Sequence, residues 1–281
     1  MNKEYKSINC KGQLIDLSTP RVMGILNVTP DSFYDGGKHT QPDELLRHTE
    51  KMLNEGATFI DLGGYSSRPK ASHITEETEQ ARVLPVVELL VKNFPDILIS
   101  IDTFRSSIAA AAIAAGACMV NDISGGEMDE QMFTTVASLQ VPYIVMHMQG
   151  TPQTMQLQPV YSNVVQDLIH YFSEKIFALR ELGLNDIIID VGFGFGKTME
   201  HNYRLLKNLD LFNALGVPVL TGVSRKSMLW KLLGTSAQDA LNATSVAHTI
   251  ALLNGTHILR AHDVKEALEA VKITGYLRTV D

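Results

Sequence analysis

Eight times along this chain an apolar run stops on a polar side chain, opens into a loop and gives way to a helix-like segment. The first instance spans Arg21 to Gly37. Val22 to Leu26 reads as a buried strand, Asn27 ends it, and Thr29-Pro30-Asp31-Ser32 and Asp35-Gly36-Gly37 are turn residues. Later runs are Ala57 to Leu62, carrying Asp61, then Ile97 to Ile101 before Asp102, and Cys118 to Val120 before Asn121-Asp122. Tyr143 to Met146 precedes His147, Asp186 to Ile189 precedes Asp190, Val217 to Leu220 precedes Thr221 to Lys226, and Thr256 to Leu259 precedes Arg260. Helical patterns lie between them at Pro42–Glu55, Thr75–Asn93, Arg105–Ala115, Asp129–Leu139, Tyr161–Leu182, His201–Leu209 and Ala237–Asn254, the last preceded by a short Met228–Leu233. A final helix runs from Asp263 to about Leu277. Thr75 is a candidate N-cap with Glu76, Glu77 and Glu79 in the first turn, although Thr78 is not the acid or amide a capping box needs.

Strands joined by helical crossovers make a parallel sheet. Eight units in series, with no linker between them, predict a closed (β/α)8 TIM barrel over about residues 21–281. An open doubly wound sheet is the rival, and the strand count favours the barrel. Residues 1–20 form a short lead-in, a candidate hairpin plugging one end, so that 1–281 reads as a single domain. With 45% hydrophobic residues the chain can bury the core a barrel needs, and a net charge of -7 argues against a nucleic-acid partner. No secretory signal follows the N-terminal MNKEYKSINCKG, and no run of about 18 apolar residues offers a membrane span. Cys10 and Cys118 fit no metal or redox spacing and read as unlinked thiols, so the expected compartment is the cytoplasm.

Barrel enzymes build their sites at the C-terminal ends of the strands. The residues arriving there are Asn27, Asp61, Asp102, Asn121, His147, Asp190, Lys226, Arg260 and His262. Any one of them could cap a strand or a helix, but nine together point to a ligand. Asp102, Asn121 and Asp190 are short hydrogen-bonding groups suited to a planar heterocycle with an amidine-like edge, and Lys226 can donate to a carbonyl on the same ring. Asp102 and Asp190 as a glycosidase-like acid/base pair is the weaker alternative. Arg68, Arg225, Lys226, Arg260 and His262 form a cationic set, and the loops after strands seven and eight often hold phosphate. Arg260 offers a forked pair of donors, and the start of the last helix adds amides.

Gly192-Phe193-Gly194-Phe195-Gly196-Lys197-Thr198 fails as a P-loop, because its first glycine is one residue too close to Gly196. It fails as a dinucleotide fingerprint because Lys197 stands where the third glycine should be. It reads instead as a tight turn that lays Phe193 or Phe195 against a flat ligand.

Taken together, MGILNVTPDSFYDGG, DLGGYSSRP, SIDT, NDISGG, MHMQGTPQTMQ, DVGFGFGKT, GVSRKSM and LRAHDV resemble, in order and from Met23 to Val264, the dihydropteroate synthases of the folate pathway, the sulfonamide targets. The resemblance implies a transferase that joins 6-hydroxymethyl-7,8-dihydropterin diphosphate to 4-aminobenzoate, releases pyrophosphate and needs Mg2+, and it implies a homodimer. Asp102, Asn121, Asp190 and Lys226 would hold the pterin ring, with Ile123, Met146 and Phe195 lining its pocket. Asn27 would ligate the Mg2+, and Ser67, Arg68, Arg260 and His262 would bind the diphosphate. Phe33, Pro69 and Ser227 would shape the aminobenzoate site, and Asp102, Lys226 and Arg260 would carry the catalysis.

The implied reaction is a dissociative displacement without a strong general base, with loops 29–39 and 64–72 closing over the site. Where many members of the family read GGESTRPG, this chain has Tyr65 for the acid, Ser67 for the threonine and Lys70 for the last glycine. That departure bears on loop closure and sulfonamide response. Rival functions are a pterin-binding methyltransferase barrel, which has no diphosphate to bind, and a non-catalytic pterin-binding homologue.

Overall fold

The computed structural model describes residues 6–28, 42–66, 73–151 and 159–280. The lead-in is a hairpin, β1 (Ser7–Cys10) and β2 (Gln13–Asp16), whose two-residue turn has positive φ at both Lys11 and Gly12. Turns of that kind match the right-handed twist of the flanking strands. The remaining strands are β3 (Arg21–Asn27), β4 (Phe59–Gly63), β5 (Ile99–Asp102), β6 (Met119–Asp122), β7 (Tyr143–Met146), β8 (Ile187–Asp190), β9 (Val219–Thr221) and β10 (Ile258–Ala261). They pair in parallel around a closed ring in chain order, and β10 returns to pair with β3. The expected barrel is therefore closed rather than open.

The helices are α1 (Pro42–Asn54), α2 (Glu76–Asn93), α3 (Ser106–Ala114), α4 (Met132–Leu139), α5 (Val164–Glu181), α6 (Met199–Lys207), α7 (Ser227–Leu232), α8 (Leu241–Leu253) and α9 (Val264–Leu277). Thr75 does cap α2, accepting from the Thr78 amide. Thr198 caps α6 in a reciprocal box with His201. A 3-10 helix at Leu209–Leu215 lies just beyond the helix expected over His201–Leu209. The strand expected from Ile97 starts instead at Ile99, because the Ile97 amide is spent on the Phe94 carbonyl at the end of α2.

Side chains of a strand alternate between its two faces. One set, including Val22, Leu26, Leu62, Ile101, Val145, Ile189 and Leu259, packs against the helices. The other set, Met23, Phe59, Met119, Ile144, Ile188, Leu220 and Ile258, fills the lower barrel together with Ile8, Cys10, Ile15 and Leu17 of the hairpin segment. The hairpin thus plugs the N-terminal end. Cys10 and Cys118, remote in sequence, both lie in this plug as free buried thiols. Counting up each strand in steps of two from the lower layer leads to Asn27, Asp61, Asp102, Asn121, Met146, Asp190 and Arg260. The same alternation that fills the floor with hydrocarbon aims these groups at the upper mouth.

Candidate active site

Register sets the rim. Asn27 pairs with Gly63, Gly63 with Asp102, and Asp102 with Asn121. Gly63 puts no side chain between its neighbours; a Cβ there would sit 3.6 Å from Asn27 Oδ1 and 3.4 Å from Asp102 Cβ. Across the barrel, Met146 pairs with Asp190.

Inside this rim lies a network that the sequence lists by position but not by role. Arg260 Nε donates to Asp61 Oδ2 at 2.6 Å and its Nη2 donates to Asp102 Oδ2 at 2.8 Å. Asn121 Nδ2 donates to the same Asp61 oxygen at 3.0 Å. Asp61 is fully buried, and its other oxygen has no partner among the described residues. Burial works against the Arg260 cation, but Asp61 and Asp102 outweigh it and hold its pKa above the usual arginine value. Burial and then repulsion from Asp61 push Asp102 up to about 7, with Arg260 opposing.

A second ion set faces it. Asp190 accepts from the Gly192 amide at 2.8 Å, and burial raises its pKa against the pull of Lys226. Burial brings Lys226 down to about 8, with Asp190 opposing. Lys226 Nζ donates to the Phe193 carbonyl and lies 4.8 Å above the Phe195 ring. That ring packs with Ile123, Met146, Met148, Tyr65 and Phe104 in one apolar cluster. The result is a slot with apolar walls and a hydrogen-bonding edge, of the kind that binds flat heterocycles.

Several expectations need correcting. Arg225 does not join the cationic set. It has φ 53 and turns away, donating to both Asp263 oxygens at 2.8 and 2.9 Å and to the carbonyls of Ala237 and Gln238. Phe193 is wholly buried in the outer core, so only Phe195 reaches the slot. His147 arrives at a strand end, but its ring is buried and bonded to Lys197.

His262 sits exposed at the rim, with Nδ1 3.0 Å from Ser224 Oγ. Ser227 is exposed at the start of α7. Phe33, Ser67, Arg68 and Pro69 lie outside the described residues, as do most of loops 29–39 and 64–72. Tyr65, just before that second segment, packs edge-on to Phe104 at 5.0 Å with its hydroxyl 3.3 Å from His73 Nδ1. Arg105, paired with buried Glu79, binds the carbonyls of Ile74 and Thr75 on the other side.

Among the described residues no three carboxylate, imidazole or thiolate side chains converge on a metal position. Asn27, half-buried at the mouth, offers a single neutral oxygen. That fits a hard cation such as Mg2+ whose other ligands are phosphate oxygens and water.

The family model for pterin binding enzymes matches residues 23–262. The dihydropteroate synthase of Escherichia coli K12 is 42% identical over 265 residues, covering 94% of this chain and 93% of that protein. The Haemophilus influenzae dihydropteroate synthase is also 42% identical, covering 96% of this chain and 97% of its own length. Among solved structures, Yersinia pestis dihydropteroate synthase in a sulfonamide drug complex superposes with a TM-score of 0.92 at 40% identity, covering 98% of this chain and all of that one. The Xanthomonas albilineans synthase with 4-aminobenzoic acid gives 0.91 at 38% identity, covering 99% of this chain and 100% of that one.

Proposed function

The chain belongs to the pterin-binding enzyme family, in its dihydropteroate synthase branch, and from this premise we propose how its residues join 6-hydroxymethyl-7,8-dihydropterin diphosphate to 4-aminobenzoate. The observation that carries the proposal is the hydrogen-bonding edge over an apolar slot, with a half-buried guanidinium beside it.

Asp102, Asn121 and Asp190 accept from and donate to the ring's amidine-like edge, and Lys226 donates to its carbonyl. Ile123, Met146 and Phe195 sandwich the ring. Arg260 has Nε and Nη2 engaged by carboxylates, which turns its Nη1 side to the diphosphate. His262, Ser67 and Arg68 complete the diphosphate contacts, while Phe33, Pro69 and Ser227 shape the aminobenzoate site. Asn27 would hold Mg2+ together with the diphosphate, and the ion would neutralise negative charge on the leaving group.

The bond between the methylene carbon and the diphosphate oxygen breaks first, and its electrons leave with pyrophosphate. The electron-rich dihydropterin stabilises the cationic methylene. Arg260 and Lys226, fixed before reaction, stabilise the departing charge. The neutral amine of aminobenzoate then attacks the methylene carbon, and its proton passes to solvent. Asp102 acts by holding the ring, so no base of high strength is needed.

Two further elements belong to this reading. Val246, Ile250 and Leu253 on α8 and Ile273, Tyr276 and Leu277 on α9 are exposed on two helices that pack together, and this apolar face fits a homodimer. Two free buried thiols fit a reducing cytoplasm.

The direct test is pyrophosphate release from dihydropterin diphosphate and Mg2+, with and without 4-aminobenzoate. Release that depends on the amine, with dihydropteroate formed in step, is the expected result. Pterin binding without amine-dependent release would overturn the reading.

A further inference from the structure

Lys197 is the feature that neither the pterin edge nor the diphosphate contacts absorb. It is 5% exposed, lies between β8 and α6, and among the described residues pairs directly with no carboxylate. Its Nζ reaches three acceptors: His147 Nδ1 at 2.9 Å, the His147 carbonyl at 3.2 Å and the Phe195 carbonyl at 3.0 Å. An ammonium has three donors and no acceptor, and three acceptors surround Nζ here. His147 is itself held, edge-on to Tyr171 at 4.8 Å.

The loop from Gly192 to Gly196 is pressed onto the strand end that carries His147. A Cβ on Gly192 would lie 2.0 Å from the His147 carbonyl oxygen, and one on Gly196 would lie 2.6 Å from that of Gln149. Tyr161 adds a hydrogen bond to the Gly196 carbonyl at 2.7 Å. Two consequences reach the slot. The Phe195 ring is placed by a backbone that Lys197 grips at the Phe195 carbonyl. The Phe193 carbonyl, which Lys226 contacts, belongs to the same loop.

We infer that Lys197 is a positioning residue for pterin recognition. By tying the Gly192–Gly196 loop to His147, it sets the Phe195 wall and the Lys226 donor at the separation a pterin ring needs. It touches no substrate. The inference rests on the synthase reading and deepens it.

The probe is 6-hydroxymethyl-7,8-dihydropterin without diphosphate, because its binding reads the ring slot alone. Titration calorimetry on Lys197→Met is expected to show affinity weakened about tenfold or more, while the KM for 4-aminobenzoate stays within about twofold. The acceptor is tested separately at His147. His147→Asn can place Oδ1 where Nδ1 was, and is expected to bind the probe within about threefold of the parent, whereas His147→Leu is expected to lose about tenfold. Thermal melts report folding, and if Lys197→Met does not fold, the two His147 variants decide.

Parent-like probe binding in folded Lys197→Met, or equal losses in His147→Asn and His147→Leu, would overturn the inference. Failure of the parent protein to release pyrophosphate with the amine would instead overturn the synthase reading, with probe binding still measurable.

Discussion

Arg260 Nε and Asp61 Oδ2 meet at 2.6 Å inside the barrel, where Asp61 has no exposure to solvent. The pair joins β10 to β4, and through Asn121 it reaches β6. One buried carboxylate thus orients both the Asn121 amide and the Arg260 guanidinium.

Asp61→Asn keeps the shape and removes the charge. Steady-state kinetics are expected to show kcat/KM for the pterin diphosphate reduced about 100-fold, equivalent to about 2.7 kcal/mol. The melting temperature should fall as well, because Arg260 keeps only Asp102. Unchanged kcat/KM would remove Asp61 from the site.

The pH profile should be narrow. Asp102 must be a carboxylate to accept from the ring, so activity is lost as pH falls through about 7. Lys226 must be an ammonium to donate, so activity is lost as pH rises through about 8. A bell in kcat/KM for the pterin diphosphate, the parameter that reports the free enzyme, is the expected shape.

Gly192→Ala and Gly183→Ala separate collision from backbone preference. Both positions have positive φ, but a Cβ at Gly183 meets open space. Gly183→Ala should cost about 1–2 kcal/mol from the dihedral alone. Gly192→Ala adds the clash with the His147 carbonyl and should cost about 3 kcal/mol or more. Denaturant titrations of the two variants measure the difference.

Arg225→Gln should lower the melting temperature and leave the KM for the pterin diphosphate within about twofold, because its bonds are to Asp263 and two carbonyls. A large rise in that KM would return Arg225 to the diphosphate site.

The double variant Val246→Glu, Ile273→Glu places charge on the apolar face of α8 and α9. Sedimentation of the parent is expected to give twice the 31.0 kDa of one chain, and the variant should sediment as a single chain. A parent that sediments as one chain would leave that face without its proposed partner.

Barrel and rim were legible because one period governs both. Counting by two from Met23, Phe59 or Ile188 leads to Asn27, Asp61 or Asp190, so a polar residue in phase with the floor marks the mouth. Adjacent residues with opposite fates were not legible. Arg225 and Lys226 look alike in sequence, yet the positive φ at Arg225 sends it outward while Lys226 enters the slot. Phe193 and Phe195 differ in the same way, one in the core and one in the wall. The role of Asp61 escaped because its partners lie on strands remote in sequence, and nothing local announces a shared acceptor.

The strand that carries Arg260 is the last barrel strand in chain order, and it closes the ring by pairing with the first. A ribosome therefore delivers Asp61 and Asp102 long before their counter-charge. Until β10 emerges, β3 and β9 keep open edges and a carboxylate destined for the interior has no cation to meet. The rim network therefore waits on β10. A polypeptide released before residue 258 is not a weakened catalyst but an unfinished one, with two strand edges free to pair with another chain.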